Sequence, residues 1–217
     1  MDIVSLINKP NPVIFDIGCN DGNDTARFCK MFPNGRIYAF EPDPRAINKF
    51  KSRKLPVSLF EGVISDINGD ILFHQSAADP KLVPEGYNVG TVDPNWDKSG
   101  SILKPSKHLE IVPWVTFPTN ITVKSITLDT FTEENNIDLI DFIWADVQGT
   151  EERMIIGGRN TFDHKVKYLY TEYSLDLYEG SPTMERILEL LPSYELVELF
   201  EPTIHGGDML LVNKELE

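Results

Sequence analysis

The sequence predicts a doubly wound α/β fold, a mostly parallel sheet with helices on both faces and an antiparallel strand pair at the C-terminal end. Three observations carry this expectation. Short apolar runs alternate with helix-periodic segments through the first third of the chain. The connections are only a few residues long, as in strand–helix–strand units with right-handed crossovers. Two strand-like runs close the chain, joined by Ile204-His205-Gly206-Gly207.

The elements follow in order. Val13-Ile14-Phe15 is a short buried strand ended by Gly18. Thr25, Phe28, Cys29 and Phe32 share one face of a helix, which Asn23 or Asp24 is expected to cap and Pro33-Asn34-Gly35 to stop. Ile37 to Phe40 is the next strand. Asp43-Pro44 reads as an N-cap with proline in the first helical position, and Ala46, Ile47 and Phe50 face inward from that helix. Val57 to Phe60 makes a third strand. Ile71-Leu72-Phe73, after Asn68-Gly69-Asp70, reads as the far arm of a small hairpin.

Residues 75 to about 120 lack periodicity and are expected to form a long, lid-like inserted loop. They hold Pro80, Pro84, Pro94, Pro105, Pro113 and Pro118, the breakers Gly86, Gly90 and Gly100, and Trp96 and Trp114. The α/β pattern then resumes. Ile121 to Ile126 is a strand, and Asp129 opens a short helix. Asp141 to Ala145 is a buried strand ending at Asp146, followed by a helix from about Thr150 to Gly157-Gly158. Val166 to Tyr173 is a strand, and Thr183 to Leu191 a helix stopped by Pro192. Glu195 to Phe200 and Met209 to Val212 are the closing pair.

With 217 residues, 41% of them hydrophobic, the chain can fill one core and is read as a single domain over 1–217. Lys and Arg number 20 against 34 Asp and Glu, a formal net charge of −14. Such a surface repels phosphate backbones and anionic lipid, so no nucleic-acid partner is expected. No apolar run approaches the ~20 residues of a spanning helix, so no membrane insertion is expected either. Met1-Asp2-Ile3-Val4-Ser5 lacks the features of a secretion signal. Cys19 and Cys29 suit neither a disulfide framework nor a zinc site, which fits a reducing, cytoplasmic setting.

In an open α/β sheet, ligands bind beyond the carboxyl ends of the strands. Four loops lie there. The first is Asp16-Ile17-Gly18-Cys19-Asn20-Asp21-Gly22. Its glycines let backbone pass close to a ligand, but the third glycine of a dinucleotide fingerprint is missing. Asp16 and Asp21 would repel pyrophosphate. A cationic, phosphate-free ligand suits the loop better, and S-adenosylmethionine carries an ammonium and a sulfonium. Asp16, Gly18, Asn20, Gly22 and Thr25 are therefore candidate cofactor contacts. The competing reading is a plain strand-to-helix turn. Glu41, just past the second strand, is placed to bind both ribose hydroxyls of an adenosine. Ile64, Ser65 and Asp66 are placed around the adenine, unless they form only a hairpin entry. Asp146 ends its strand facing the cleft, and Glu151 lies where the helix dipole favours an anion.

With these residues in hand, the chain resembles the FkbM-type S-adenosylmethionine-dependent methyltransferases. The resemblance rests on D-I-G-x-N-x-G at Asp16 to Gly22, F-E-P at Phe40-Glu41-Pro42, L-D-x-F at Leu128 to Phe131, and D-x-x-G-x-E at Asp146 to Glu151. It covers roughly residues 13 to 162. Relatives often carry lysine where this chain has Trp144. The resemblance implies a class I methyltransferase fold, a Rossmann-like sheet of seven strands. It also implies O-methylation, often of a sugar hydroxyl, with S-adenosyl-L-methionine as donor and S-adenosyl-L-homocysteine as product.

Methyl transfer from a sulfonium needs orientation and desolvation, and a sugar hydroxyl needs its proton removed. Asp146 is the first candidate base and Glu172 the second. Alternatively Asp146 holds the methionine ammonium, leaving the proton to His74, His108 or His205. Trp96 and Trp114 are candidates to stack on a sugar face, or else merely anchor the long loop. Ser101 and His205 are further candidate acceptor contacts, with Ser99, Ser106 and Lys107 behind them. The expected partner is a small-molecule or glycan acceptor. No residue spacing asks for a metal; a divalent cation on the acceptor's hydroxyls is possible but not expected. Two other functions compete: a nicotinamide-dependent oxidoreductase and a non-catalytic adenosyl-binding module.

Overall fold

The computed structural model describes residues 1–83, 92–174 and 176–216; Pro84, Gly86 and Gly90 lie outside the described residues. The principal sheet has seven strands: β1 (Val13–Ile17), β2 (Arg36–Phe40), β3 (Ser58–Phe60), β7 (Ile140–Ala145), β8 (Val166–Ser174), β9 (Tyr194–Thr203) and β10 (Gly206–Asn213). Their order is β3-β2-β1-β7-β8-β10-β9. The first five strands of that order run parallel, and β10 lies antiparallel between β8 and β9. This is the fold class the sequence predicts.

Period-two alternation divides the core. Val13, Phe15 and Ile17 of β1 face one side, with Phe40, Ile143 and Leu169. Helices α5 (Leu128–Glu134), α6 (Glu151–Gly157), α7 (Arg159–His164) and α8 (Met184–Leu190) cover that side through Leu128, Phe131, Met154, Phe162 and Ile187. Ile14, Ile37, Phe142 and Leu210 face the other side, covered by α1 (Ile3–Ile7) and α2 (Asn23–Met31). Helix α3 (Pro44–Ser52) packs Phe50 against Cys19 and Ala39. Strand β1 sits at the switch point, with β2 on one flank and β7 on the other. The loops leaving these strands therefore converge.

Three expectations are corrected. Ile71 to Phe73 is not the arm of a local hairpin. It belongs to β5 (Gly69–Ala78), which pairs antiparallel with β6 (Val115–Ile126), and β4 (Gly62–Ile64) pairs in parallel with the other edge of β6. This separate three-stranded sheet, ordered β4-β6-β5, takes up the run at Ile121 to Ile126 and both ends of the supposed insert. The partners are far apart in sequence, so no local turn signal reveals them. The irregular part is shorter and includes α4 (His108–Ile111). Neither Asn23 nor Asp24 caps α2: Gly22 occupies that position, and the Asp21 side chain accepts from Asn23 N at 3.2 Å.

The Leu128-Asp129-Thr130-Phe131 motif is structural. The Asp129 carboxylate accepts from the backbone N–H groups of Asn160 (3.2 Å) and Thr161 (2.7 Å) at the start of α7. The Phe131 ring lies 4.7 Å from Phe40, 5.7 Å from Phe15, 5.8 Å from Tyr38 and 6.0 Å from Phe60. Phe131→Ala should lower the unfolding free energy by about 3–5 kcal/mol, read as a lower midpoint in urea without a change of slope.

Candidate active site

Main-chain bonds bring the first, second and fourth loops together. Gly18 N and Cys19 N both donate to Phe40 O, at 2.9 and 3.0 Å, and Asp146 N donates to Ile17 O at 2.9 Å. Gly18 has φ +85°, and a Cβ there would run into the Asp146 carbonyl oxygen. Gly22 has φ +82°, with the Phe50 ring 2.6 Å from where its Cβ would stand. Both positions therefore require glycine for backbone and space together.

Asp16 shares strand parity with Ile14 and so faces α2. There Thr25 Oγ1 donates to Asp16 Oδ2. The carboxyl is 1% exposed, and burial pushes its pKa up to about 7 despite that bond. Glu41 is held at both oxygens: Asn20 N donates to Oε2 at 2.8 Å and Asp43 N to Oε1 at 2.7 Å. Burial pushes it up to about 8. The segment at 96–102 closes over this corner. Asn20 Nδ2 donates to Asp97 O at 3.0 Å, Lys49 Nζ meets Asp97 Oδ2 at 2.7 Å, and Ser101 Oγ donates to Gln148 O at 2.8 Å.

Of the candidates from sequence, Asp16, Gly18, Asn20, Glu41, Ile64, Ser101 and Asp146 line the resulting groove. Gly22 and Thr25 stand behind it, Gly22 as the left-handed turn into α2 and Thr25 as partner of Asp16. Ser65 and Asp66 turn to each other, with Ser65 Oγ 2.9 Å from Asp66 Oδ1, and Arg153 lies 3.8 Å from Asp66. Trp96 and Trp114 do not line the groove; they meet edge to face at 4.9 Å, and Trp96 Nε1 donates to Ser99 Oγ. His205 sits in the turn between β9 and β10, outside the groove. His74 bonds Asn120 at 2.7 Å, and His108 packs against Phe117 and Tyr178.

Asp16, Asp21, Asp24, Glu41, Asp97 and Asp146 give the groove six carboxylates, with Lys98 its one cationic side chain among the described residues. Arg53, Arg27 and Lys49 pair with Asp21, Asp24 and Asp97. Asp16, Glu41 and Asp146 have no such cation among the described residues. This donor set fits the ammonium and sulfonium of S-adenosylmethionine, and the Glu41 carboxylate fits a ribose diol. It does not fit a pyrophosphate, which disfavours a nicotinamide dinucleotide.

A second row of carboxylates continues along the same edge of the sheet. Asp208 of β10 stands opposite Glu172 of β8 in the strand register. Asp146 opens onto the groove, and the protein packed around it, with Asp208 and Asp24 near, holds its pKa up. Glu172 is half-buried. Desolvation, then the charges of Asp146, Glu151 and Asp208, push it up to about 9. Glu151 is 1% exposed, has no partner for Oε2, and is pushed up to about 8 by burial. The helix dipole alone does not account for a carboxyl so placed. Gln148 and Tyr178 were not singled out from sequence as site residues. Gln148 has φ +53°, and its Nε2 lies 2.5 Å from Asp146 Oδ1. Among the described residues, no three His, Cys, Asp or Glu side chains are grouped so as to hold a metal ion.

The model of the methyltransferase FkbM domain matches residues 16–196, which include all four loops. The chain belongs to the FkbM methyltransferase family. It is an S-adenosylmethionine-dependent methyltransferase. The 2-O-methyltransferase NoeI of Sinorhizobium fredii (strain NBRC 101917 / NGR234) is 44% identical over 218 residues, 99% of this chain and 84% of that protein. An FkbM methyltransferase from Methylobacillus flagellatus KT superposes with a TM-score of 0.55 at 13% identity, over 94% of this chain but only 44% of the larger structure. The METTL16 methyltransferase domain superposes at 0.50 with 11% identity, over 98% of this chain and 64% of that one. At such identities the two structures bear on the fold alone. No helix of the described residues is long and apolar enough to cross a membrane.

The raised carboxyls set a pH dependence for this FkbM domain. Asp16, Glu41, Glu151 and Glu172 hold protons in the folded state that the unfolded chain releases near its ordinary carboxylate range. The stability they give is fully present below about pH 4 and is lost as pH rises through their folded values. Thermal melting of the cofactor-free protein should fall from about pH 5 to about pH 9, with a shallower upper limb in Glu172→Gln.

Proposed function

We propose that the chain methylates a hydroxyl of a neutral sugar or glycan, with Asp146 as the base that takes the hydroxyl proton. The observation that carries this reading is the Asp146 carboxylate. It opens onto the groove beside the cofactor loops, Gln148 holds Oδ1, and Oδ2 has no protein partner among the described residues. Desolvation holds its pKa above the ordinary carboxylate value, which makes it a stronger base than a free carboxylate. Glu172, the second candidate, lies one strand further on and does not line the groove, and neither does any of His74, His108 and His205, which weighs against each of them as the base. The match to a protein named a 2-O-methyltransferase over nearly the whole chain supports an oxygen acceptor. The acidic walls disfavour an anionic acceptor and leave a polyhydroxyl one unopposed.

Cofactor contacts are assigned on the same footing. Glu41 binds the ribose hydroxyls, and the Asn20 and Asp43 amides fix its carboxylate for that purpose. Ile64, with Val63, lies along the adenine. Asp16 faces the methionine end with Thr25 behind it, and Gly18 and Asn20 supply close backbone. Ser65, Asp66 and Gly22 support these contacts from outside the groove. Ser101 stands on the acceptor side, and Trp96, Trp114 and His205 would reach an acceptor only at the margin. The bound cofactor supplies an activated methyl group, so the protein's part is to orient the two reactants, exclude water and receive one proton.

Calorimetric titration with S-adenosylhomocysteine and with NAD, combined with methyl transfer to a panel of methyl glycosides of neutral hexoses, tests the assignment. Glu41→Ala should raise the Kd for S-adenosylhomocysteine by about ten- to a hundred-fold, the worth of one or two charge-assisted hydrogen bonds. Unchanged affinity would remove Glu41 from the ribose. Asp146→Asn should lower kcat by about 10²- to 10⁴-fold while leaving that Kd within a few-fold. A loss of binding that matches the loss of turnover would instead place Asp146 on the methionine ammonium.

A further inference from the structure

Behind Asp146 runs a chain of hydrogen-bonding groups that the reaction as described leaves unused. Gln148 Nε2 lies 2.5 Å from Asp146 Oδ1. Gln148 Oε1 lies 2.9 Å from the Tyr178 hydroxyl, and that hydroxyl lies 2.9 Å from the carbonyl oxygen of Ser99. Tyr178 is 2% exposed, and Ser99 is buried with it. The phenol has one proton and faces two acceptors, so the two bonds cannot both be donated at once. The chain therefore has two complete arrangements, and they differ in what Asp146 carries.

With Asp146 ionised, Gln148 Nε2 donates to the carboxylate and Oε1 accepts from Tyr178, leaving the Ser99 carbonyl unserved. With Asp146 protonated, the Gln148 carboxamide turns over. Its oxygen accepts from the Asp146 O–H, its Nε2 donates to the Tyr178 oxygen, and the phenol proton goes to Ser99 O. Every buried group is then satisfied.

We propose that Gln148 and Tyr178 are positioning residues that form a reversible hydrogen-bond chain, reversing direction as Asp146 gains or loses the acceptor's proton. The proposal rests on Asp146 as the base. In the step concerned, the acceptor oxygen would take the methyl group as the donor's S–CH3 bond breaks and leaves a neutral thioether, while the acceptor O–H bond breaks and its proton forms a new O–H bond on Asp146. Asp146 later returns that proton to solvent through the open groove. The chain favours the protonated arrangement by one hydrogen bond and so supports Asp146 after it has received the proton.

The charged groups facing Asp146 are Asp16 of β1, Asp24 of α2, Glu151 of α6, Glu172 of β8 and Asp208 of β10, with Arg27 held over the Trp144 ring. They set the background against which the chain acts, and neither substitution below alters them. The chain also ties separate segments to the base. Tyr178 lies beside the bridge between Pro105 and its own backbone, where Ser106 N and His108 N both donate to Leu177 O.

The test is a carbon-detected NMR titration of carboxyl groups in the cofactor-free protein. The Asp146 signal is assigned by its loss in Asp146→Asn. Tyr178→Phe removes the extra bond of the protonated arrangement, so the Asp146 pKa should fall by about 0.5 to 1 pH unit. By the same count Gln148→Met costs the protonated arrangement two bonds and the ionised one a single bond, since the phenol then donates to Ser99 O in either state, so the pKa should fall there too. A fixed Nε2 donor that never turns over would instead make the pKa rise on its removal, and a merely structural role would move neither value. A fall in both variants supports the chain; a rise in Gln148→Met, or unmoved values in both folded variants, overturns it. The two failures separate in the pH dependence of kcat/KM. If Tyr178→Phe shifts the NMR titration but not the acid limb of turnover, the chain stands and Asp146 is not the base.

Discussion

The backbone of Gly18 passes so close to the carbonyl of Asp146 that no other residue fits, and this contact sets the geometry of the site. It is possible because β1 and β7 are hydrogen-bonded neighbours up to Ile17 and Ala145, and because Asp146 N continues the ladder by one bond to Ile17 O. From there the chain after β1 turns toward β2, where two consecutive amides share the Phe40 carbonyl. Three strand ends are thus fixed to one another by main-chain bonds alone. Side chains along this edge of the sheet inherit their positions from strand parity and register: Asp16 points to α2 because Ile14 does, and Asp208 stands opposite Glu172 because β10 pairs with β8.

A groove built this way from acidic residues has a cost in the free protein. Asp16, Glu41 and Glu151 are buried carboxyls without a cationic partner, and desolvation is the leading cause of each raised pKa. The fold meets the cost partly by protonation and partly by directing amides at them, as Asn20 and Asp43 do for Glu41. A ligand with fixed positive charge removes the remaining penalty, while a phosphate adds to it. The same charges therefore select the cofactor class and weaken the free protein as pH rises.

What could be read from the sequence follows from locality. The strands at residues 13, 36 and 140 are short apolar runs, and the loops after them carry carboxylates, with glycines in the first and the last, at spacings that already point to a cleft. The helix at Pro44 announces itself through Asp43. The second sheet does not, because β6 pairs with β5 across about 37 to 56 residues of sequence and with β4 across about 62, with only alternation to mark it. Tyr178 was invisible for a different reason. It lies in a segment without helical or strand periodicity, and its importance comes from reaching across to Gln148 and Ser99. The nearest available signal was the phenol itself, a large polar aromatic between Asp176 and Gly180 that needed a hydrogen-bond partner if buried. Trp96 and Trp114 show the opposite case: prominent in the sequence, they pack on each other and secure the segment that closes the groove.

The floor and the cover of the groove consequently have different kinds of support. The floor is held by main-chain bonds between adjacent strands, which side-chain changes scarcely touch. The cover depends on side chains that cross between segments: Ser101 to the Gln148 carbonyl, Asn20 to the Asp97 carbonyl, Lys49 to the Asp97 carboxylate, and Tyr178 to Ser99. Each of these joins the 96–102 segment to a loop of the principal sheet or, for Lys49, to α3. The 96–102 segment is thus tied through Gln148 to the loop that carries Asp146, while the strand ends are tied to one another by main chain. Substitutions of the crossing side chains can therefore reshape the cover of the groove without disturbing the strand ends beneath it.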